Sequence, residues 1–191
     1  MYVPKMNVDR YEIEAVLLLM GSDSDCFRKI SDADTIAAIL HRTKYWTNSV
    51  PFLDKIIYDY VGRYSSQIVR SLGGMGLVDE IVQCKIIKNW ESNTAASHLM
   101  SVRYDILSCH DLNLLLILYF RVLRQGAIEV RNFPEEKTIT RVGLVKVEDG
   151  QLKPASAIYA HVFDASWIEE QLPGLTRPIV DKRILSNRIQ S

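Results

Sequence analysis

The stretch that most constrains the fold is Leu144–Pro154. Leu144–Val147 and Leu152–Pro154 flank Glu148-Asp149-Gly150-Gln151, and Asp-Gly favours the type I′ turn whose twist matches that of paired strands. With Glu148 opposite Gln151, Val147 faces Leu152 and Val145 lies on the same side. Lys146 and Lys153 then fall together on the other side, exposed to water. Upstream, Leu112–Arg124 is apolar nearly all round and reads as the central helix of a second small core, ended by Gly126. Ala127–Val130 can form one short strand, and Pro134 opens a short helix to about Arg141. Helix, short strand, helix, hairpin is the order of a winged helix-turn-helix. Ala155–Phe163 then reads as a helix, and Ser166 with Glu169 forms a capping box for Trp167–Leu172, closed by Pro173-Gly174. These last helices are expected behind the wing.

The first half reads as helices. Arg10–Met20 carries Ile13, Val16, Leu17 and Met20 on one stripe, and Gly21-Ser22-Asp23-Ser24 stops it. Ser31 or Asp32 can cap a helix running to about Trp46, with Ile36, Ile39, Leu40 and Thr43 on one face. Asn48-Ser49 break the chain, and Pro51 suits a first helical turn. Phe52, Leu53, Ile56, Ile57, Tyr60 and Val61 then give a wide apolar face to about Gly62. Ser71–Gly76 reads as a flexible joint before a helix over Leu77–Glu91. There Val78, Ile81, Val82, Ile86 and Trp90 form the stripe, and Lys85, Lys88 and Glu91 face away. Asn93–Ser97 is polar, and a further helix runs from about His98 to Ser108.

Composition narrows the function classes. At 191 residues and 48% hydrophobic, the chain has material for one real core or two small ones. Lys+Arg and Asp+Glu are both 23, which argues against a bulk polyelectrolyte binder while leaving room for a local basic patch. Three cysteines and nine glycines exclude a disulfide scaffold and a collagen-like chain, and the apolar content excludes a mainly disordered one. Cys26, Cys84 and Cys109, odd in number and far apart, read as reduced, mostly buried thiols of a cytoplasmic protein. His41, His98, His110 and His161 lie at no ligand spacing, so neither metal nor cofactor is expected. The apolar runs Ala15–Met20 and Leu112–Phe120 are far shorter than the roughly 20 residues of a membrane helix, and no targeting or lipidation signal stands out. No membrane association is expected.

Several segments together resemble a known family. Ile86-Ile87-Lys88-Asn89-Trp90-Glu91-Ser92, His98-Leu99 and Arg103-Tyr104-Asp105-Ile106-Leu107 are similar to the segment after the ATPase core of AAA-like, STAND-type signalling NTPases. Tyr45–Leu53 resembles their lid, with Asn48-Ser49 where many members have two glycines. Gly143–Lys146, Gly150–Lys153, Ile158-Tyr159, Val162-Phe163 and Trp167–Leu172 match their winged-helix end. The resemblance spans roughly residues 32–178. It implies a lid-like helical bundle (32–108) and a winged-helix domain (109–175); with an N-terminal helical segment (1–31) that matches nothing in the family and a basic tail (176–191), the expectation is a mainly α chain with a small β-hairpin wing. In full-length members this region couples nucleotide state to modules such as WD40, caspase-like or tetratricopeptide repeat domains. The departure concerns chemistry. No G-x-x-x-x-G-K-[ST] occurs, the cluster Gly73-Gly74-Met75-Gly76 lacks the following Lys and hydroxyl residue, and no strand ending in paired acids precedes the lid. ATP binding is not carried over.

The remaining candidates each have a plain reading. Trp46, Trp90 and Trp167 sit at helical core spacing. His98 and Arg103 match family positions and also suit a polar network at a helix end. Cys109-His110-Asp111 are adjacent, and neighbours on one turn do not generally meet as a triad. No catalytic residue is expected, and the chain reads as no enzyme. For partner or DNA contact the best positions are Arg131 beside the helix at 134–141, Lys137 and Arg141 on it, Lys146 and Lys153 on the wing, and Arg177, Lys182 and Arg183 in the tail. The tail carries a net +3 from Arg177, Lys182, Arg183 and Arg188 against Asp181. Glu135 and Glu136 open the would-be reader helix and repel phosphate. The expectation is a regulatory module that docks on a protein partner, a separately encoded P-loop NTPase or an effector. DNA binding through wing and tail is the alternative. Residues 1–31 would cap the surface where an ATPase core would sit.

Overall fold

The computed structural model describes residues 32–174. The expected helix at 10–20, the cap formed by 1–31, and the tail with Arg177, Lys182 and Arg183 lie outside the described residues. Asp32 starts the first described helix, its carboxylate accepting from the Asp34 amide, and α1 runs Ala33–Thr47. Asn48 ends it in the left-handed conformation (φ 50°), and Pro51 opens α2, Pro51–Val61.

The expected joint at Ser71–Gly76 takes the form of a sharp break at Gly73 with helical turns on both sides of it. α3 spans Ser66–Ile81, capped by Ser65, and bends at Gly73 (φ 69°, ψ 160°), a conformation open essentially to glycine alone. The bend has a packing cause. A Cβ at Gly74 would stand 2.6 Å from the Thr35 carbonyl oxygen and 3.0 Å from the Ala38 Cβ, so α1 and α3 meet backbone to backbone. Beyond the bend, Asp79 fixes the pair. Its carboxylate accepts from Arg42 Nε at 2.6 Å and Nη2 at 3.0 Å, and from the Trp46 indole at 2.6 Å.

The helix expected to reach Glu91 stops earlier. α3 passes into a π-helical segment, Val82–Ile87, that keeps Val82 and Ile86 buried. Asn89 then takes a left-handed backbone (φ 52°), Asn93 Nδ2 donates to the Ile86 carbonyl at 2.6 Å, and Trp90–Ser92 form a separate 3-10 turn. Helix α4, Ala96–Leu107, follows.

The second half keeps the expected order: α5 (Leu112–Gln125), β1 (Ile128–Glu129), α6 (Pro134–Arg141), β2 (Val145–Glu148), β3 (Gln151–Pro154). The chain is mainly helical with a small three-stranded antiparallel sheet, ordered β1-β3-β2. The hairpin register is the expected one, with Lys146 opposite Lys153, Val147 opposite Leu152, and Glu148 opposite Gln151. Asp149 (φ 52°) and Gly150 (φ 72°) supply the two positive φ values of a type I′ turn.

Two short helices close the fold: α7, Ala157–Val162, capped by Ser156, and α8, Ala165–Gln171. Asp164, not Ser166, caps α8, accepting from the Trp167 amide at 2.9 Å; Glu169 accepts from the Gly174 amide at 2.7 Å. Helix α7 packs on α1, on the π-helical segment and on β3, while α8 packs on α5. The closing helices are thus shared between wing and bundle. Trp90, Phe163 and Trp167 meet edge to face across this junction, with ring centres 5.8 and 5.0 Å apart. The buried apolar residues form one continuous cluster from Ile39 to Ile168, crossing the sequence boundary near residue 108. Trp46 and Trp167 are buried and Trp90 is half-buried, as core spacing implied.

Candidate interaction surface

Helices α5 and α6 lie against each other, and α6 carries Lys137 and Arg141 of the described positions singled out for partner contact, with Arg131 just ahead of it. The start of α6 is built by Glu136, which is buried to 5% exposure. Its carboxylate accepts from the Arg131 amide at 3.1 and 2.9 Å and from the Phe133 amide at 3.3 Å, tying the β1–α6 connection to the first turn. This changes its expected role. Of the two acids, Glu136 points into backbone donors and Glu135 alone faces the surface side. Arg131, Lys137 and Arg141 are exposed. Their guanidinium and ammonium groups make no ion pair among the described residues.

The wing lysines differ from expectation. They share one side, but they are half-buried rather than free in water. Lys153 Nζ reaches Glu148 Oε2 at 2.8 Å, and Lys146 Nζ reaches Glu148 Oε1 at 3.2 Å and Asn48 Oδ1 at 2.8 Å. Those two lysines hold the Glu148 carboxyl below its usual range. Asn48 also donates through Nδ2 to the Ala155 carbonyl at 2.8 Å, so the end of α1 is stitched to β2 and to the residue that follows β3. Val147 departs in the opposite sense. It pairs with buried Leu152 yet is 53% exposed, whereas Val145 on the same strand is buried, because Val147 lies close to the Asp149-Gly150 turn at the tip of the wing.

The α5–α6 face carries an apolar component that periodicity alone hides. Leu115, Leu116, Tyr119 and Val122 are buried, but Leu114 is 49% exposed, Ile117 38% and Phe133 54%. Helix α5 is therefore not enclosed all round. Leu114, Ile117, Ile128 and Phe133 line a groove of about 170 Å³ edged by Arg121 and Arg131. On the other flank of α6 lies a wider cavity of about 450 Å³, lined by Asp105, Cys109, His110, Asp111, Glu135 and Arg141 among others. Cys109 donates to the Asp105 carbonyl at 3.3 Å, a local helix-end contact and no nucleophile–base pair. Among the described residues no group of three or more His, Cys, Asp or Glu is arranged to hold a metal ion.

The family-matched polar residues are structural partners. Arg103 pairs with Glu91 at 2.7 Å. His98 stacks on Phe52 with ring centres 4.9 Å apart, and its Nε2 lies 2.7 Å from the Tyr159 hydroxyl, so it links α2, α4 and α7. Burial lowers the His98 pKa and pushes the Tyr159 phenol up to about 12. Cys84 corrects the expectation of buried thiols. It is exposed on the outer side of the π-helical segment, and its hydrogen bond to Glu80 raises its pKa. Among the described residues no helix is long and apolar enough to cross a membrane.

Comparison with known proteins adds one weak relationship. The chain is 29% identical over 143 residues to an uncharacterized WD repeat-containing protein of Synechocystis. The match takes in 70% of this chain and 12% of that protein, so the chain spans about an eighth of its relative's length. No family model matches, and no solved structure matches.

Proposed function

We propose that this chain is a non-catalytic regulatory module that works by protein contact, corresponding to the lid and winged-helix part of an AAA-like STAND NTPase. The observation that carries the reading is the α5–α6 face. Where a DNA-reading winged helix offers donors to bases and phosphates, this face offers Leu114, Ile117 and Phe133. The wing lysines, which would grip phosphate, are engaged by Glu148 and Asn48. No P-loop occurs in the 191 residues, so nucleotide chemistry requires an ATPase core outside them. A distant relative that contains WD repeats fits a role in protein contacts.

The test is co-purification of the tagged chain, followed by Ile117→Glu and Phe133→Glu. Recovery of a P-loop protein that both variants lose supports the module. Nucleotide binding by the 191-residue chain alone overturns it. DNA binding is the alternative, carried by exposed Arg131, Lys137 and Arg141. It requires a duplex shift that weakens steeply with salt and vanishes when Arg131, Lys137 and Arg141 become Glu. Absence of a shift at low salt ends that reading.

A further inference from the structure

His98 is a contact by which the bundle grips the closing helix α7. It stands in the first turn of α4 with its ring stacked on two others. The Phe52 ring of α2 lies 4.9 Å away at 27°, and the Tyr159 ring of α7 lies 6.0 Å away at 26°. His98 Nε2 is 2.7 Å from the Tyr159 hydroxyl, and Tyr159 itself is buried. The grip reaches further through Tyr159, whose carbonyl accepts from the Tyr119 hydroxyl of α5 at 3.3 Å. One imidazole thus joins α2 and α4 to the helix that follows the wing.

A proton on that ring meets no balancing charge. From α2 it faces the Phe52 ring, while the Asp54 carboxylate of that helix accepts from the Thr47 hydroxyl. On α7 the other titratable side chain, His161, is turned to the Ala157 carbonyl and the Trp46 ring. On α4 itself Arg103 is paired with Glu91. Lys55 and Asp59 of α2 and Asp105 of α4 are exposed, and among the described residues no carboxylate pairs with His98. The ring faces favour a cation modestly. Burial outweighs them and lowers the His98 pKa below that of a free imidazole. The fold therefore holds the ring neutral. Its stabilising part is complete above the free imidazole's range and is lost as the pH falls below that range.

We propose that His98 is a proton-sensitive latch: neutral, it holds α7 against α2 and α4, and on taking a proton from water it releases α7 before the bundle or the wing core melts. The latch is independent of the protein-contact reading.

Amide hydrogen exchange on the full 191-residue chain tests it, at about pH 7.5 and about pH 5, each corrected for intrinsic exchange. The amides of Ala160 and Phe163, bonded to the Ser156 and Tyr159 carbonyls, should lose roughly tenfold of their protection in acid. Those of Leu115–Val122 should stay unchanged as an internal reference. His98→Phe, which keeps a stacked ring and takes no proton, should show equal protection at both pH values. Equal protection in the parent overturns the proposal, as does an acid response that His98→Phe retains, which would belong to another group such as His161. Should the reference amides of His98→Phe show that it does not fold, a proton NMR titration of the parent decides. His98 ring signals that titrate together with those of the Tyr159 ring, below the free imidazole's range, support the latch. A His98 midpoint at or above that range, or Tyr159 signals that do not move, overturns it.

Discussion

Two glycine-marked bends do opposite jobs. At Asp149-Gly150 the need for positive φ is local: no side chain crowds Gly150, and the turn joins strands adjacent in the chain. At Gly73-Gly74 the first glycine supplies a backbone of φ 69° and ψ 160°, and the second admits the Thr35 carbonyl from another helix. A turn glycine answers to its immediate neighbours. A packing glycine answers to residues almost forty positions away.

Substitutions that separate these two roles follow in order of effect. Gly74→Ala should cost the most, about 3 kcal/mol of unfolding free energy in urea titration, because the new Cβ meets backbone that cannot rotate away. A loss under about 1 kcal/mol would show that α1 slides freely and that the close approach is incidental. Asp79→Ala should cost about 2 kcal/mol in the same titration, since it leaves the Trp46 indole and Arg42 without their acceptor just past the bend. Gly73→Asn should also cost about 2 kcal/mol, because its ψ lies far from the left-handed well that Asn tolerates. Gly150→Ala should cost about 1 kcal/mol and Gly150→Asn less, by thermal melts, since that bend needs only a positive φ. If Asn at 73 were as mild as Asn at 150, the contrast between the two bends would collapse. The smallest effect, no resolvable change in a thermal melt, is expected at Lys153→Ala, since a solvent-screened pair with Glu148 is worth little.

Legibility followed the same division. The hairpin register, Pro51 and Pro134 at their helix starts, and Gly126 at its helix end could be read because each depends on a few consecutive residues. The cap of α8 was misassigned by two residues, since Asp164 and Ser166 are both good caps and only the backbone angles choose. The wing lysines were placed on the right side but not in the right environment. Asn48, which anchors Lys146, lies 98 residues away in sequence. The apolar groove beside α6 left a trace in the sequence: Leu112–Arg124 is more apolar than one small core can enclose, and the excess emerges as Leu114 and Ile117.

By itself the sequence determined the element types and order of the second half, the strand register, and the lack of a phosphate-cradling loop within these residues. Each of these is settled by local backbone preference or by the presence or absence of a residue type. The tertiary structure alone decided that α1 packs backbone to backbone on Gly74 just past the break at Gly73 and that Glu136 serves backbone amides. It also decided that the wing is stitched to the bundle and that part of α5 faces outward. All four depend on which distant surfaces meet, and residue spacing along the chain does not carry that information.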